Sequence, residues 1–360
     1  MTAPTLAETP LAGLLAARIR AEGPLTVADF MAECLLHPAH GYYTTRDPLG
    51  ARGDFTTAPE ISQIFGELLA LALAQAWLDQ GAPRPVLLAE LGPGRGTLMA
   101  DALRALAVVP ALRDAVRVHL VEASPALRAE QARRLPGATW HDRLDTLPEG
   151  PLLLLANEFL DALPVRQFLR QGPLWAERVV GLDPAGRLAW GLRRPLPVPA
   201  LDHRLADTRD GDMVETRPAL APLVGEIGRR IAAHGGAAIL VDYGGWRLTG
   251  DTLQALRAHA PADPLAHPGE ADLTAHVDFD AVARAAPPAR ATAMVEQGTL
   301  LARLGLGARA EALARGLSGP ALAAHRAAVA RLADPAAMGS LFKAIALHPP
   351  DAPPPPGFAP

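Results

Sequence analysis

Glycines 92, 94 and 96 stand directly after the apolar run "VLLAEL", which itself carries the acid Glu90. A strand that turns through three glycines into a helix lets its backbone approach a ligand closely and exposes amide hydrogens at the positive end of the helix dipole. Glu90, Gly92, Pro93, Gly94 and Gly96 therefore read as a nucleotide-type cradle. Glu122 ends the next apolar run, 32 residues after Glu90. A carboxylate at that place accepts hydrogen bonds from both hydroxyls of a ribose. Other runs also end in polar residues: His141-Asp142-Arg143 after the weak run "GATW", Asn157-Glu158 after "GPLLLLA", and Asp242-Tyr243 after "GGAAILV". Ligands of open parallel sheets bind beyond the carboxyl ends of the strands, so these residues are candidates for one site.

The kind of nucleotide is narrowed by what is missing. A dinucleotide fingerprint needs its third glycine where Thr97 stands, and a phosphate loop needs a Gly-Lys-Ser/Thr that does not occur here. Glu90 beside the loop would repel a pyrophosphate and attract an ammonium or a sulfonium. S-adenosylmethionine joins adenine and ribose to both of those cations and has no phosphate.

Alternating elements must position these residues. Leu11 to Ala21 is helical in pattern, and "GPLTVADFMAECLLHP" is a second short helix with Thr26 as its cap. Ile61, Ile64, Phe65, Leu68, Leu69 and Ala72 repeat at helical spacing, with Thr57 and Glu60 as a capping box. From about residue 85, continuous apolar runs alternate with helical stretches at 97–107 and 124–135, which predicts a parallel sheet wrapped by helices. "FKAIALH" near the end reads as an edge strand, residues 165–230 as a less regular insertion with a hairpin at Asp183 to Gly186, and the proline-rich 351–360 as a tail without fixed fold.

Composition sets outer limits. Apolar residues make up 49% and charged residues 20%, which suits a globular protein with a sizeable core. A net charge of -4 argues against general nucleic-acid binding, which needs a basic surplus. Cys34 is the only cysteine, so no intrachain disulfide can form. The first twenty residues carry their basic groups after the apolar run, unlike a secretory signal, and no window has the uncharged length of a bilayer span. These features predict a cytoplasmic location, no membrane insertion and no nucleic-acid partner; a homodimer stays open.

Five segments in order, "GYYTTRDPLGARGDFTTAPEISQIFGELLA", "ELGPGRGTLMAD", "NEFLDALPVRQF", "DYG" and "ADLTAHVDF", resemble the MidA-like methyltransferases over nearly the whole chain. The resemblance implies an α/β, seven-stranded, Rossmann-like class I methyltransferase fold that binds S-adenosylmethionine. It implies an N-terminal helical region and lid over 1–80, a methyltransferase domain over 81–350 with a substrate-side insertion at about 165–230, and the tail 351–360. It also implies protein arginine methylation of a respiratory complex I subunit in support of that complex's assembly. Methylation of a small molecule and a non-catalytic assembly scaffold are the alternatives.

The resemblance carries over to residues as well. Asp142 would lie near the adenine, and "GARGDFTTAPEIS" would be a lid touching the cofactor through Asp54 and Phe55. In "NEFLDALP", Asn157, Glu158 and Asp161 are the catalytic candidates, with histidine commonly replacing Asn157 in the mitochondrial form. A guanidinium stays protonated, so it must be oriented by carboxylates; Glu158 can pair with it in a fork, and Asp161 shares that face if the chain has begun a helix. Asp272, His276 and Asp278 have the spacing of a strand border or helix cap, and no metal is expected.

Overall fold

The computed structural model describes residues 9–45 and 57–358. Two helices, α1 (Pro10–Glu22) and α2 (Val27–Leu36), precede the long α3 (Gln63–Asp79). Thr26 caps α2 as expected, its hydroxyl oxygen accepting the Asp29 N–H at 3.0 Å. The capping box at Thr57 and Glu60 does not form: Thr57 makes no side-chain cap bond, and the Glu60 carboxylate accepts the Thr97 hydroxyl instead. Ile61 belongs to a separate turn, Ala58–Ile61, and Ser62 starts α3. Residues of α3 are buried on nearly every side, so it is a central helix and not an amphipathic surface one.

The centre is a nine-stranded sheet. Its path consists of β1 (Val86–Leu91), β2 (Val116–Val121), β3 (Thr139–His141), β4 (Leu152–Asn157), β5 (Gly236–Gly245), β6 (Arg290–Ala291) and β7 (Phe342–His348), in the spatial order β6-β7-β5-β4-β1-β2-β3. Two further strands of two residues each, Val277–Asp278 and Val295–Glu296, pair beside this path, so among the described residues the count is nine and not seven. Strands β1 to β5 pair in parallel, and β7 runs antiparallel to both neighbours. "FKAIALH" is thus an interior strand, not an edge: Phe342 to Leu347 pair with Tyr243 to Ala238, while β6 covers the other side. The uninterrupted apolar run from Ala344 to Leu347 is what allows burial on both faces.

Helices α4 (Thr97–Ala105) and α5 (Pro125–Arg134) follow β1 and β2, and α6 (Leu220–His234) and α7 (Phe279–Ala285) flank β5 in sequence. Alternate residues of the central strands divide between two cores. Leu88, Leu153, Leu155 and Ile239 pack with α3 and α4, while Leu87, Leu154, Ala238 and Leu240 pack with α6 and α7. A second sheet joins Arg166–Gln171, Leu174–Leu182, Leu188–Leu192 and Met213–Thr216 to the short N-terminal strand Leu25–Thr26. Its hairpin turns where expected, with Asp183 accepting the Ala185 and Arg187 N–H groups. Helices α1 and α2 share a core with this sheet through Leu15, Phe30, Met31 and Val180. The expectation of an unstructured tail is corrected: Phe358 is buried in the α3 core and Arg303 donates to the Gly357 carbonyl at 3.0 Å. One buried aromatic anchors what the prolines alone would leave free.

Gly228 in α6 shows how tightly the second layer is packed. A Cβ there would lie 2.0 Å from the Ala286 carbonyl oxygen. Alanine would favour the helix by about 1 kcal/mol, but overpacking against backbone costs roughly 1–3 kcal/mol. Gly228→Ala is therefore expected to lower the urea midpoint, and a midpoint at or above that of the parent protein would contradict the packing described.

Candidate functional site

Strand β1 delivers Glu90 to the interior and runs into Gly92, Gly94 and Gly96, all left-handed at φ 60°, 53° and 76°. Gly92 is needed for space as well as conformation, since a Cβ there would come within 2.7 Å of the Phe159 ring. Gly96 forms the N-cap of α4 and lies behind the loop tip. Fully buried Gln131, on α5, ties the turn to the next strand: its amide donates to the Gly94 carbonyl at 2.7 Å and to Glu122 Oε2 at 3.3 Å, and accepts from the Trp140 indole at 2.8 Å. The other Glu122 oxygen accepts the Ser124 N–H at 2.8 Å. The sequence reading missed Gln131, because a glutamine in mid-helix carries no motif; only the folding of α5 against the loop gives it a task.

These residues border a cavity of about 360 Å³ whose lining includes Glu90, Gly92, Pro93, Gly94, Glu122, Asp142, Asn157 and Glu158. Glu90 is 3% exposed, and its Oε2 has no hydrogen-bond partner. Burial pushes its carboxyl up to about 8, with the negative Glu122 adding to the rise and the Met99 N–H opposing it. Asn157 Oδ1 is also buried without a partner. Two orphaned acceptors on the wall of one cavity suit a ligand that brings positive charge and N–H donors. Burial raises Glu122 above the usual carboxylate range as well.

Glu158 opens the turn after β4 with φ 49°, an uncommon conformation for a side chain with a Cβ. Its N–H donates to Val241 at 3.0 Å, and its Oε1 accepts the Ala58 N–H at 3.1 Å and the Asn157 amide at 3.0 Å. Burial pushes it up to about 7, helped by the nearby charge of Asp161. No helix begins here, so the expectation that Asp161 shares a face with Glu158 is corrected. Asp161 does not line the cavity; it is buried beside the Tyr243 hydroxyl, and its N–H donates to Asp242 Oδ2 at 3.2 Å. Glu158 at φ 49° lies outside the right-handed helical region, so no helix starts from it, and Asp242 takes the Leu160 and Asp161 N–H groups in the turn that follows.

Of the other candidates, Asp142 reaches the cavity rim with its side chain 83% exposed and paired to Arg128. Asp54 and Phe55 lie outside the described residues, and of the expected lid only Thr57 onward is described. Asp278 caps α7 by accepting the Asp280 N–H at 3.0 Å, while Asp272 accepts the Tyr43 hydroxyl at 2.9 Å. Among the described residues no group of three or more His, Cys, Asp or Glu side chains could hold a metal ion, and no helix is long and apolar enough to cross a membrane. Tyr43 and Thr44 line the cavity and were not singled out from the sequence, although the quoted "GYYTT" contains both.

The model of the S-adenosyl-L-methionine-dependent methyltransferase family matches residues 68–295. Curated relatives include the mitochondrial protein arginine methyltransferase NDUFAF7 of Mus musculus, 39% identical over 85% of this chain and 76% of its own length. The Homo sapiens protein of the same name is 36% identical over 95% of this chain and 84% of its own length. The Drosophila melanogaster homolog is 38% identical over 94% and 85%. Among solved structures, a methyl transferase-like protein of Burkholderia thailandensis bound to S-adenosyl-homocysteine superposes with a TM-score of 0.81 at 30% identity, covering 100% of this chain and 96% of that one. The curated relatives are named as mitochondrial, which overturns the cytoplasmic expectation. That expectation rested on a single cysteine and on the absence of a secretory pattern, neither of which separates one reducing compartment from another.

The buried state of Glu90 makes stability depend on pH. Its folded pKa lies above the unfolded value, so the stability it allows is complete below about 4.5 and is lost as pH rises through about 8. Glu90→Gln removes that titration. The variant is expected to gain on the parent protein between about pH 5 and pH 8.5, by at most about 5 kcal/mol. Denaturant midpoints measured at both ends would show this, and a constant difference between the two proteins would refute it.

Proposed function

The chain belongs to the family of S-adenosyl-L-methionine-dependent methyltransferases, and from that premise we propose that its methyl acceptor is an arginine side chain of a protein, a subunit of respiratory complex I. The arginine is supported by the names of the relatives, and complex I by the sequence resemblance described above. The observation that carries the reading is Glu158, a carboxyl on the wall of the cavity that the glycine turn also lines, raised by desolvation to about 7.

Each lining residue has a task in this reading. Glu122 receives the ribose hydroxyls, Glu90 answers the positive charge of the amino-acid end, and Asp142 borders the adenine. Gly92, Pro93 and Gly94 let the backbone close around the ligand, while Gly96, which does not line the cavity, turns the chain into α4. When bound, S-adenosylmethionine supplies a methyl group on an electron-poor sulfur. The protein's part is alignment and exclusion of water. A guanidinium is protonated at any physiological pH, and its nitrogens are poor nucleophiles until charge is drawn toward one side. Glu158, once ionised, pairs with two N–H groups of that cation and holds the remaining nitrogen toward the methyl group. Asn157 Oδ1 accepts a further N–H. Asp161 serves by holding the turn and not by touching the acceptor.

Incubation with S-adenosylmethionine and candidate complex I subunits, followed by mass spectrometry, is expected to reveal one or two added methyl groups on arginine. Methylation confined to small amines would reject the protein acceptor. Glu158→Ala leaves a buried guanidinium unpaired, a loss of about 3–5 kcal/mol, so turnover should fall by roughly two to four orders of magnitude. If that variant still supported complex I assembly as the parent does, a scaffold role would replace catalysis. The acceptor kcat/KM should also rise with pH through about 7 as Glu158 ionises, and this rise should be absent in Glu158→Gln. An unchanged profile in the variant would remove Glu158 from the role.

A further inference from the structure

The peptide unit at Leu160, two residues beyond Glu158, is held from both sides by buried charged side chains. From β5, Asp242 Oδ2 accepts the Leu160 N–H at 2.9 Å and the Asp161 N–H at 3.2 Å. From the other side, Arg217 donates through Nε to the Leu160 carbonyl at 3.0 Å. Its Nη2 donates to the Ala275 carbonyl at 2.5 Å and the His276 carbonyl at 2.8 Å. Arg217 directly follows Met213–Thr216, a strand of the inserted sheet, and is only 7% exposed.

An arginine buried in this way is costly, and a hydrophobic side chain would pack as well. What it provides is geometry. Its rigid planar fork fixes carbonyls of two separate loops relative to one another, which a lysine cannot do with one ammonium. The turn it grips contains the left-handed Glu158, a conformation that persists only when its surroundings over-determine it. We propose that Arg217 is a positioning residue for methyl transfer: by holding the Leu160 carbonyl against the pull of Asp242 it fixes the turn that aims Glu158 into the cavity, and so makes the inserted sheet part of the catalytic geometry. The proposal rests on Glu158 being the group that orients the acceptor.

The test compares Arg217→Met and Arg217→Lys with Arg170→Met. Arg170 also lies in the inserted sheet and donates to the Gly172 and Leu205 carbonyls, away from the Glu158 turn. Three quantities are read: kcat on the acceptor, the dissociation constant for S-adenosylhomocysteine, and amide hydrogen exchange over residues 158–164. Arg217→Met should lower kcat roughly 100-fold, the usual effect of misplacing a reacting group by about an ångström. It should speed exchange across 158–164 and leave the dissociation constant within about threefold. Arg217→Lys should fall between it and the parent, and Arg170→Met should keep its kcat. Unchanged exchange over 158–164, or an equal kcat loss in Arg170→Met, would overturn the proposal. Should Arg217→Met fail to fold, Arg217→Lys carries the same comparison. Should the parent protein methylate no arginine, the acceptor reading fails, and the exchange and binding data alone decide whether Arg217 holds the turn.

Discussion

Glu90 ends its strand inside the molecule with one carboxylate oxygen facing no donor, and burial keeps the group largely protonated up to about pH 8. A free-standing domain would ordinarily satisfy or expose such a group. Here the surrounding structure prevents both. Gly92 is pressed against Phe159, Gln131 bridges Gly94 and Glu122, and the helix that follows is fixed at Gly96. The acid thus keeps an unpartnered oxygen at the cavity, a polar group whose burial without a partner costs stability.

The same logic runs through the second acid. Glu158 sits in a left-handed turn between β4 and the inserted sheet, and its carboxylate is met by the Ala58 N–H, from the segment just after the undescribed residues 46–56. Three parts of the chain therefore meet at one turn, residues 158–161: the main sheet through Val241 and Asp242, the N-terminal region through Ala58, and the residue following the last strand of the inserted sheet, Arg217. The inserted sheet and helices α1 and α2 share a core, so the surroundings of this turn are built by parts far apart in the chain.

That separation explains what could and could not be read from the sequence. Strands buried on both faces advertise themselves as apolar runs, and a glycine turn ending in a helix start is a local pattern, so β1, β2, β4, β5 and the turn at Gly92 to Gly96 were legible. Glu122 was legible because its strand neighbours β1 and strand ends converge by topology. Gln131, Tyr43 and Arg217 were not, since their partners lie 37, 229 and 57 residues away and no spacing rule connects them. Asp161 does not share a face with Glu158 because the chain turns left-handed at Glu158 where helical spacing would need it right-handed. "FKAIALH" was placed at an edge because nothing in its own residues reveals that a two-residue strand covers it.

The most direct test is calorimetric titration of S-adenosylmethionine into the protein at about pH 7 in two buffers of different ionisation enthalpy. If the cavity holds Glu90 protonated until a cation arrives, binding should release close to one proton per site, and the observed heat should change with the buffer. Equal heats in both buffers would mean that no buried acid gives up its proton to the ligand, and would contradict the account.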